Sequence, residues 1–284
     1  MPYSVHPHVI WKHYSISLMP NQTGTGLCIG FESNTWRSET FARNVIEWLP
    51  EFALPYTEYK DICGANSVDS IIKSSKLIYD SEKYIRRGEF GEIFLHMAMR
   101  TIHKTIPAIS KIYFKSALND TVKGFDAVHI VEDNNSIELW LGEVKFYRNI
   151  KNAIKSVIHE IKEHIAHKYL RNEFIVITNK LDKETPNYDN IKQLIDHRTS
   201  LDSIFSKIRI PVFITYESKL FDTYTKEIEA YITSLQEELK SVAVDFFNSA
   251  TGIDIIIHLY IFPLKNKSEL IKTLHNKLKS LQGI

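Results

Sequence analysis

Little in this sequence permits a disulfide scaffold or a structural zinc site. It has only two cysteines, Cys28 and Cys63, with no Cys-x-x-Cys or Cys/His spacing, and such usage fits a reducing compartment. An excess of charge is also lacking. The 35 Lys and Arg nearly cancel the 34 Asp and Glu, leaving +1. The surface as a whole therefore does not attract polyanions, and any nucleic-acid contact must come from a local basic groove or a partner. No apolar run approaches the roughly 20 residues of a membrane span, and the first residues lack a charged-then-apolar targeting pattern. A cytoplasmic protein without membrane contact is expected. A Gly-rich phosphate loop is missing too: Gly24-Thr25-Gly26 is not followed by Lys-Ser/Thr, which excludes an ATPase and places any motor on a separate chain. What remains is a chain of 284 residues, 44% hydrophobic and 24% charged, the balance of a globular protein with one large domain or one domain and an appendage.

Residues 1–80 read as an N-terminal α+β extension. Val9 to Leu18 suits a strand, Gly24, Gly26 and Gly30 bracket another, and Trp36 to Trp48 and Val68 to Tyr79 have helical spacing, the first closed by Pro50 and Pro55. Residues 81–284 read as the main domain. Ser81 is a plausible N-cap for a helix from Glu82 to His103, stopped by Pro107. A short strand at Lys111 to Lys115 and two longer ones, Phe125 to Val131 and Ile137 to Phe146, follow. Ile150 to Tyr169 is an amphipathic helix, Glu173 to Thr178 a buried-type strand, and a helix is expected near Ile191. Ile208 to Tyr216 is a strand, Leu220 to Phe247 a long helix, Ile253 to Phe262 a strand and Ser268 to Leu281 a closing helix. This mixture predicts an α/β fold with a central mixed sheet flanked by helices.

The hairpin between the two longer strands carries the chemistry. With Asn134-Asn135 as a two-residue turn, Asp133 faces Ser136, Val131 faces Glu138 and Asp126 faces Glu143. Alternation puts Lys145 on the face of Glu143, so Asp126, Glu143 and Lys145 converge. Like charges opposed across a ladder destabilise it, and in an apolar setting one carboxylate must be neutralised. A divalent cation resolves this conflict: Mg²⁺ takes one or two carboxylates together with water and phosphate, and Mn²⁺ is an alternative. Lys145 then has the task of positioning the attacking water or stabilising charge on the phosphate. Asp126 and Glu143 are the candidate metal ligands. Glu92 is favoured as a third carboxylate, with Glu89 three residues before it the alternative on the same helix face. Gly88 and Gly91 beside them cost about 1 kcal/mol each against alanine, a sign that something approaches that backbone closely.

The string Asp/Glu-x-Lys is weak by itself. It recurs at Glu58, Glu160, Glu217 and Glu238. Glu160 and Glu238 fall in helices, where positions two apart do not share a face. Only Glu143 has an aspartate on a hairpin partner.

These residues resemble a known group. A helix with Glu, a strand opening on Gly124-Phe125-Asp126 and a strand with Gly142-Glu143-Val144-Lys145, then a helix, is similar to the PD-(D/E)xK, restriction-endonuclease-like core. Gly124-Phe125 stands where many members carry proline. That resemblance implies a Mg²⁺-dependent nuclease acting on DNA. The stretches Arg86-Arg87-Gly88-Glu89-Phe90-Gly91-Glu92, Lys123-Gly124-Phe125-Asp126-Ala127-Val128-His129 and Trp140 to Tyr147 also resemble the HamA family, the nuclease subunits of the bacterial Hachiman anti-phage system. This narrower resemblance covers roughly residues 82–180 and implies a helicase partner, HamB, and DNA as substrate.

Other features have two readings each. Lys151, Lys155, His159 and Lys162 line one side of their helix, either as a phosphate path or as a solvated face. Tyr147 and Arg148 either contact nucleic acid or serve the helix entry. His129 alternates away from Asp126 and is expected to be packed. His96, one turn past Glu92, is in reach of the site or packed. The Leu220 to Phe247 stripe is core, or in part a docking face for a partner. A non-cleaving binding module on the same core is the alternative to a nuclease.

Overall fold

The computed structural model describes residues 6–19, 22–79, 88–110, 124–133 and 136–283. The chain opens with strands β1 (Lys12–Met19), β2 (Gln22–Cys28), β3 (Phe31–Glu32) and β4 (Thr35–Trp36). Helices α1 (Ser38–Glu47), α2 (Leu49–Ala53), α3 (Tyr56–Tyr59), α4 (Ser67–Ile78) and α5 (Glu89–His103) come next. Strands β5 (Ile106–Ser110), β6 (Ala127–Asp133) and β7 (Ser136–Phe146) precede helices α6 (Ile150–His164), α7 (His167–Lys180), α8 (Tyr188–Leu194) and α9 (Leu201–Phe205). The chain closes with β8 (Ile208–Glu217), α10 (Leu220–Thr223), α11 (Glu229–Ser249), β9 (Ile256–Leu264) and α12 (Lys267–Gln282).

Seven strands form one mixed sheet in the order β1-β2-β9-β8-β7-β6-β5. The central strands β7, β8 and β9 run parallel, and β2 joins β9 in parallel; β1, β6 and β5 are antiparallel additions. β8 and β9 are nearly continuous apolar runs buried on both faces, as central parallel strands require. Strands from the first 80 residues thus share a sheet with those that follow. The sheet separates two cores. One, under α5, α1, α2 and α12, holds Phe41, Phe94, Val144, Phe146 and Phe262; the other, under α6, α7 and α11, holds Phe125, Val128, Leu141, Ile161 and Phe246.

The expected α/β architecture with helices on both faces is observed. Several elements differ from expectation, each for a physical reason. Glu173 to Thr178 is not a strand but the middle of α7. Its run Ile175-Val176-Ile177-Thr178 favours strands by type, yet Leu170, Phe174 and Ile177 are the buried positions while Ile175 and Val176 are exposed. Burial of a stripe with helical spacing outweighs propensity. The helix expected to run to Tyr169 ends at His164, because Ala166 is extended and starts α7. The long helix from Leu220 is broken: Tyr224 and Ile228 are both extended. Pro50 does not close a helix but opens α2 in its first turn, where the missing N–H has no partner to lose. Pro107 lies within β5, and α5 stops earlier, at His103, with Lys104 in the left-handed region. The Ser81 cap, the Lys111 to Lys115 strand and the Asn134-Asn135 turn lie outside the described residues. The first described turn of α5 begins after Gly88.

Candidate active site

The hairpin pairs as its sequence predicts. Asp133 faces Ser136, Val131 faces Glu138 and Ala127 faces Gly142. Asp126 sits one residue before β6 rather than inside it. Its N–H donates to the Gly142 carbonyl at 2.8 Å, and its Oδ2 accepts from the Val144 N–H at 2.8 Å. The aspartate is therefore clamped to β7 on either side of Glu143.

Val144 and Phe146 face α5. Alternation turns Glu143 and Lys145 to the other face, toward α6. There the strand and the helix mesh in register. Glu143 Oε1 contacts His164 Nδ1, Lys145 Nζ donates to Glu160 Oε2, and Tyr147 Oη lies 3.5 Å from Ser156 Oγ. Steps of two along a strand cover about 6.6 Å, and steps of four along a helix about 6 Å. An antiparallel helix thus meets residues 143, 145 and 147 with residues 164, 160 and 156 in turn. The acid of the strand meets a base of the helix, and the base of the strand meets an acid.

Burial sets the electrostatics. Glu143 is 1% exposed and Asp126 8%. Burial pushes the Glu143 carboxyl up to about 7, and the nearby Asp126 charge pushes the same way, against the pull of His164 and Lys145. Burial works to lower the His164 value, but its bond to Glu143 and the charges of Glu160 and Glu173 outweigh it and raise it. Both shifts mean that the Glu143–His164 pair retains a proton that the free groups would have released. His164 is fixed from behind by Tyr169, stacked at 4.3 Å, and by Phe125 at 5.1 Å. Gly124 precedes this pair at φ +127, and a Cβ there would lie 2.8 Å from Glu173 Oε2. Only glycine lets that carboxylate approach in that backbone conformation.

The structure thus brings Asp126, Glu143 and Lys145 together. Glu92 is half-buried in the first turn of α5, and Glu89 is buried before it; this helix lies on the opposite face of β7. The close approach inferred from the glycines holds at Gly91, where a Cβ would lie 2.7 Å from Val144 Cγ1. At Gly88 none of the described residues would lie within 4 Å of a Cβ. His96 does not reach the site. It is buried on the α5 side, with Nδ1 3.2 Å from His129 Nε2 and Nε2 3.1 Å from Glu51 Oε1. His129 is packed there as expected. Lys151, Lys155, His159 and Lys162 line an open groove of about 710 Å³ against the end of α11, roughly 100–180° around α6 from Glu160.

His164, Glu160 and Glu173 were not legible as site residues. The Lys162 two residues after Glu160 lies on another helix face; the partner of Glu160 is Lys145, across the sheet–helix interface. The i, i+4 pair Glu160 and His164 on an amphipathic helix directly after Lys145 was the signal available.

Among the described residues, no group of three or more His, Cys, Asp or Glu side chains is arranged to hold a metal ion. Two opposed carboxylates remain, one of them buried against the charge of the other, and such a hard oxygen pair suits Mg²⁺ better than zinc. No helix of the described residues is long and apolar enough to cross a membrane. No curated protein matches the chain. The HamA family model matches residues 7–278, and the chain therefore belongs to the HamA family of Hachiman defence proteins.

Proposed function

We propose that the chain is a cytoplasmic, metal-dependent nuclease of Hachiman defence that hydrolyses phosphodiester bonds in DNA on a PD-(D/E)xK-type core. The observation that carries this reading is the convergence of Asp126, Glu143 and Lys145 on one buried face, with the Glu143 carboxyl raised to about 7 beside a second acid. Asp126 and Glu143 are the residues to hold Mg²⁺ or Mn²⁺; Glu92 and Glu89 start α5, on the other face of β7 from Glu143, and are not assigned to that pair. When bound, the ion polarises the phosphate and makes water acidic enough to attack. Lys145 orients that water or stabilises the charge that develops on the phosphate oxygens.

In the resting arrangement both groups are occupied. His164 holds Glu143, and Glu160 holds Lys145. A shift of α6 frees both at once. That clasp is a physical basis for restraint, which a nuclease sharing a cell with its own genome requires. The helicase partner HamB, working on DNA, is the agent we assign to its release.

The same clasp supports a second reading, a module that binds nucleic acid or a partner without cutting. The two are separated by incubating the purified protein, with and without the helicase, with plasmid DNA and Mg²⁺ or Mn²⁺. Cleavage that disappears in Glu143→Ala and Lys145→Ala supports the nuclease. Cleavage that survives both refutes the site. Absence of cleavage under all conditions, with DNA affinity unchanged in the variants, supports the binding module.

A further inference from the structure

The strand that carries Glu143 and Lys145 continues into Tyr147 and Arg148, which open onto a cavity of about 490 Å³ between the starts of α6 and α12. Tyr147 has the parity of Glu143 and Lys145 and lies about 7 Å beyond Lys145 at roughly 3.3 Å per residue. Tyr147 is 38% exposed. Arg148 and Lys267 line the same cavity. Lys267 Nζ holds the Phe146 carbonyl and lies 6.0 Å from the Tyr147 ring centroid. Burial and the neighbouring Arg148 push the Lys267 ammonium down.

Among the described residues, Glu217 is the acid that faces these cations. It accepts from the Lys267 backbone N–H at 2.8 Å and lies 3.6 Å from Arg148 Nε. Asn149 and Asn266 cap the two helices. The helix ends are thus already satisfied, and an incoming anion meets side-chain cations. An exposed aromatic ring beside two cations is the arrangement that holds an unpaired nucleotide: the ring takes the base and the cations take the backbone. The lysine groove on the far flank of α6 has no aromatic ring and does not continue the line of Glu143 and Lys145.

We propose that this cavity is a nucleotide subsite, taking the unpaired nucleotide next to the scissile phosphate, with its base on Tyr147 and its phosphate between Arg148 and Lys267. It rests on the nuclease reading and adds a preference for a single-stranded segment.

The test uses the full chain carrying Glu143→Gln, so that nothing is cut, and a labelled single-stranded oligothymidylate followed by fluorescence anisotropy across a salt series. Adding Tyr147→Ala is expected to weaken binding about 5- to 100-fold, the effect of one stacked base. Tyr147→Phe is expected to match the parent, and Arg148→Ala or Lys267→Met to reduce the salt slope by about one. Melting temperatures equal to the parent's exclude a folding defect. Unchanged affinity and slope in all these variants overturn the subsite. So does unchanged oligonucleotide binding with lost association to the helicase, which makes the patch a protein interface. If the chain with native Glu143 cuts plasmid while Tyr147→Ala alters neither KM nor affinity, the subsite fails and the nuclease stands. A chain that neither binds nor cuts DNA, alone or with the helicase, removes both.

Discussion

Two buried ionic clusters lie on opposite faces of one sheet, and they are built to opposite ends. Under α5, Glu51 is 3% exposed and fully engaged. Arg100 Nε donates to it at 2.5 Å, Tyr59 Oη at 2.8 Å, and His96 lies at 3.1 Å. Burial alone would raise its carboxyl, but the His96 bond and the Arg100 charge bring it down to about 2. Burial pushes the His96 and His129 rings down, and the fixed counter-charge beside Glu51 is Arg100. The histidines relay this order outward, since His129 Nδ1 meets Thr105 Oγ1 at 2.7 Å. Under α6, Glu143 is equally buried but faces Asp126, and its carboxyl rises to about 7. One cluster has every charge answered within the chain. The other keeps two acids side by side, a conflict that a cation would relieve, and on it the nuclease reading rests.

The contrast breaks first at Arg100. Arg100→Leu leaves Glu51 buried without its cation and is expected to cost about 3–5 kcal/mol, measured by urea unfolding, with cleavage per folded molecule unchanged. If stability holds, the α5 cluster is no strut. On the other face the effects reverse. Lys145→Ala and Glu143→Ala are expected to lower cleavage per folded molecule about 10²- to 10³-fold or more.

The pH dependence sharpens the same contrast, because the slopes have opposite sign. Glu51 is depressed when folded, so its contribution is complete above an unfolded value near 4.5 and is lost as pH falls toward about 2. Glu143 is raised when folded, so the folded state holds its proton longer. In chelator, stability should fall as pH climbs from about 4.5 through about 7, by about 1–3 kcal/mol. His164, also raised, adds to that slope. Glu143→Gln should flatten it in unfolding curves taken from pH 4.5 to 8. A persistent slope would mean that Glu143 is not the source of the conflict.

The smallest effects test how α5 sits on β7. Gly91→Ala drives a methyl to 2.7 Å from Val144 Cγ1 and 3.1 Å from Phe146 Cβ and is expected to cost about 1–3 kcal/mol. Gly88→Ala meets none of the described residues within 4 Å and should stay within about 0.5 kcal/mol. Equal outcomes in thermal melts would show that the helix is not seated as described.

Much of the site was legible in the sequence because a hairpin is a local object. Turn position and a period of two determine which side chains face one another, so Asp126, Glu143 and Lys145 could be brought together from their numbers. The central strands were legible for the same reason: β8 and β9 are apolar runs of strand length. The HamA family was legible from three short motifs. What lay beyond the sequence depends on distance along the chain. That Ile175 to Thr178 is helical was decided by which residues the sheet buries. That Glu160 and His164 close on Lys145 and Glu143 was decided by how α6 docks, and that Arg100 answers Glu51 across 49 positions was decided by the packing of α2 on α5. Local periodicity fixes a face; only the packed sheet, with water excluded, decides which charge on that face meets which partner.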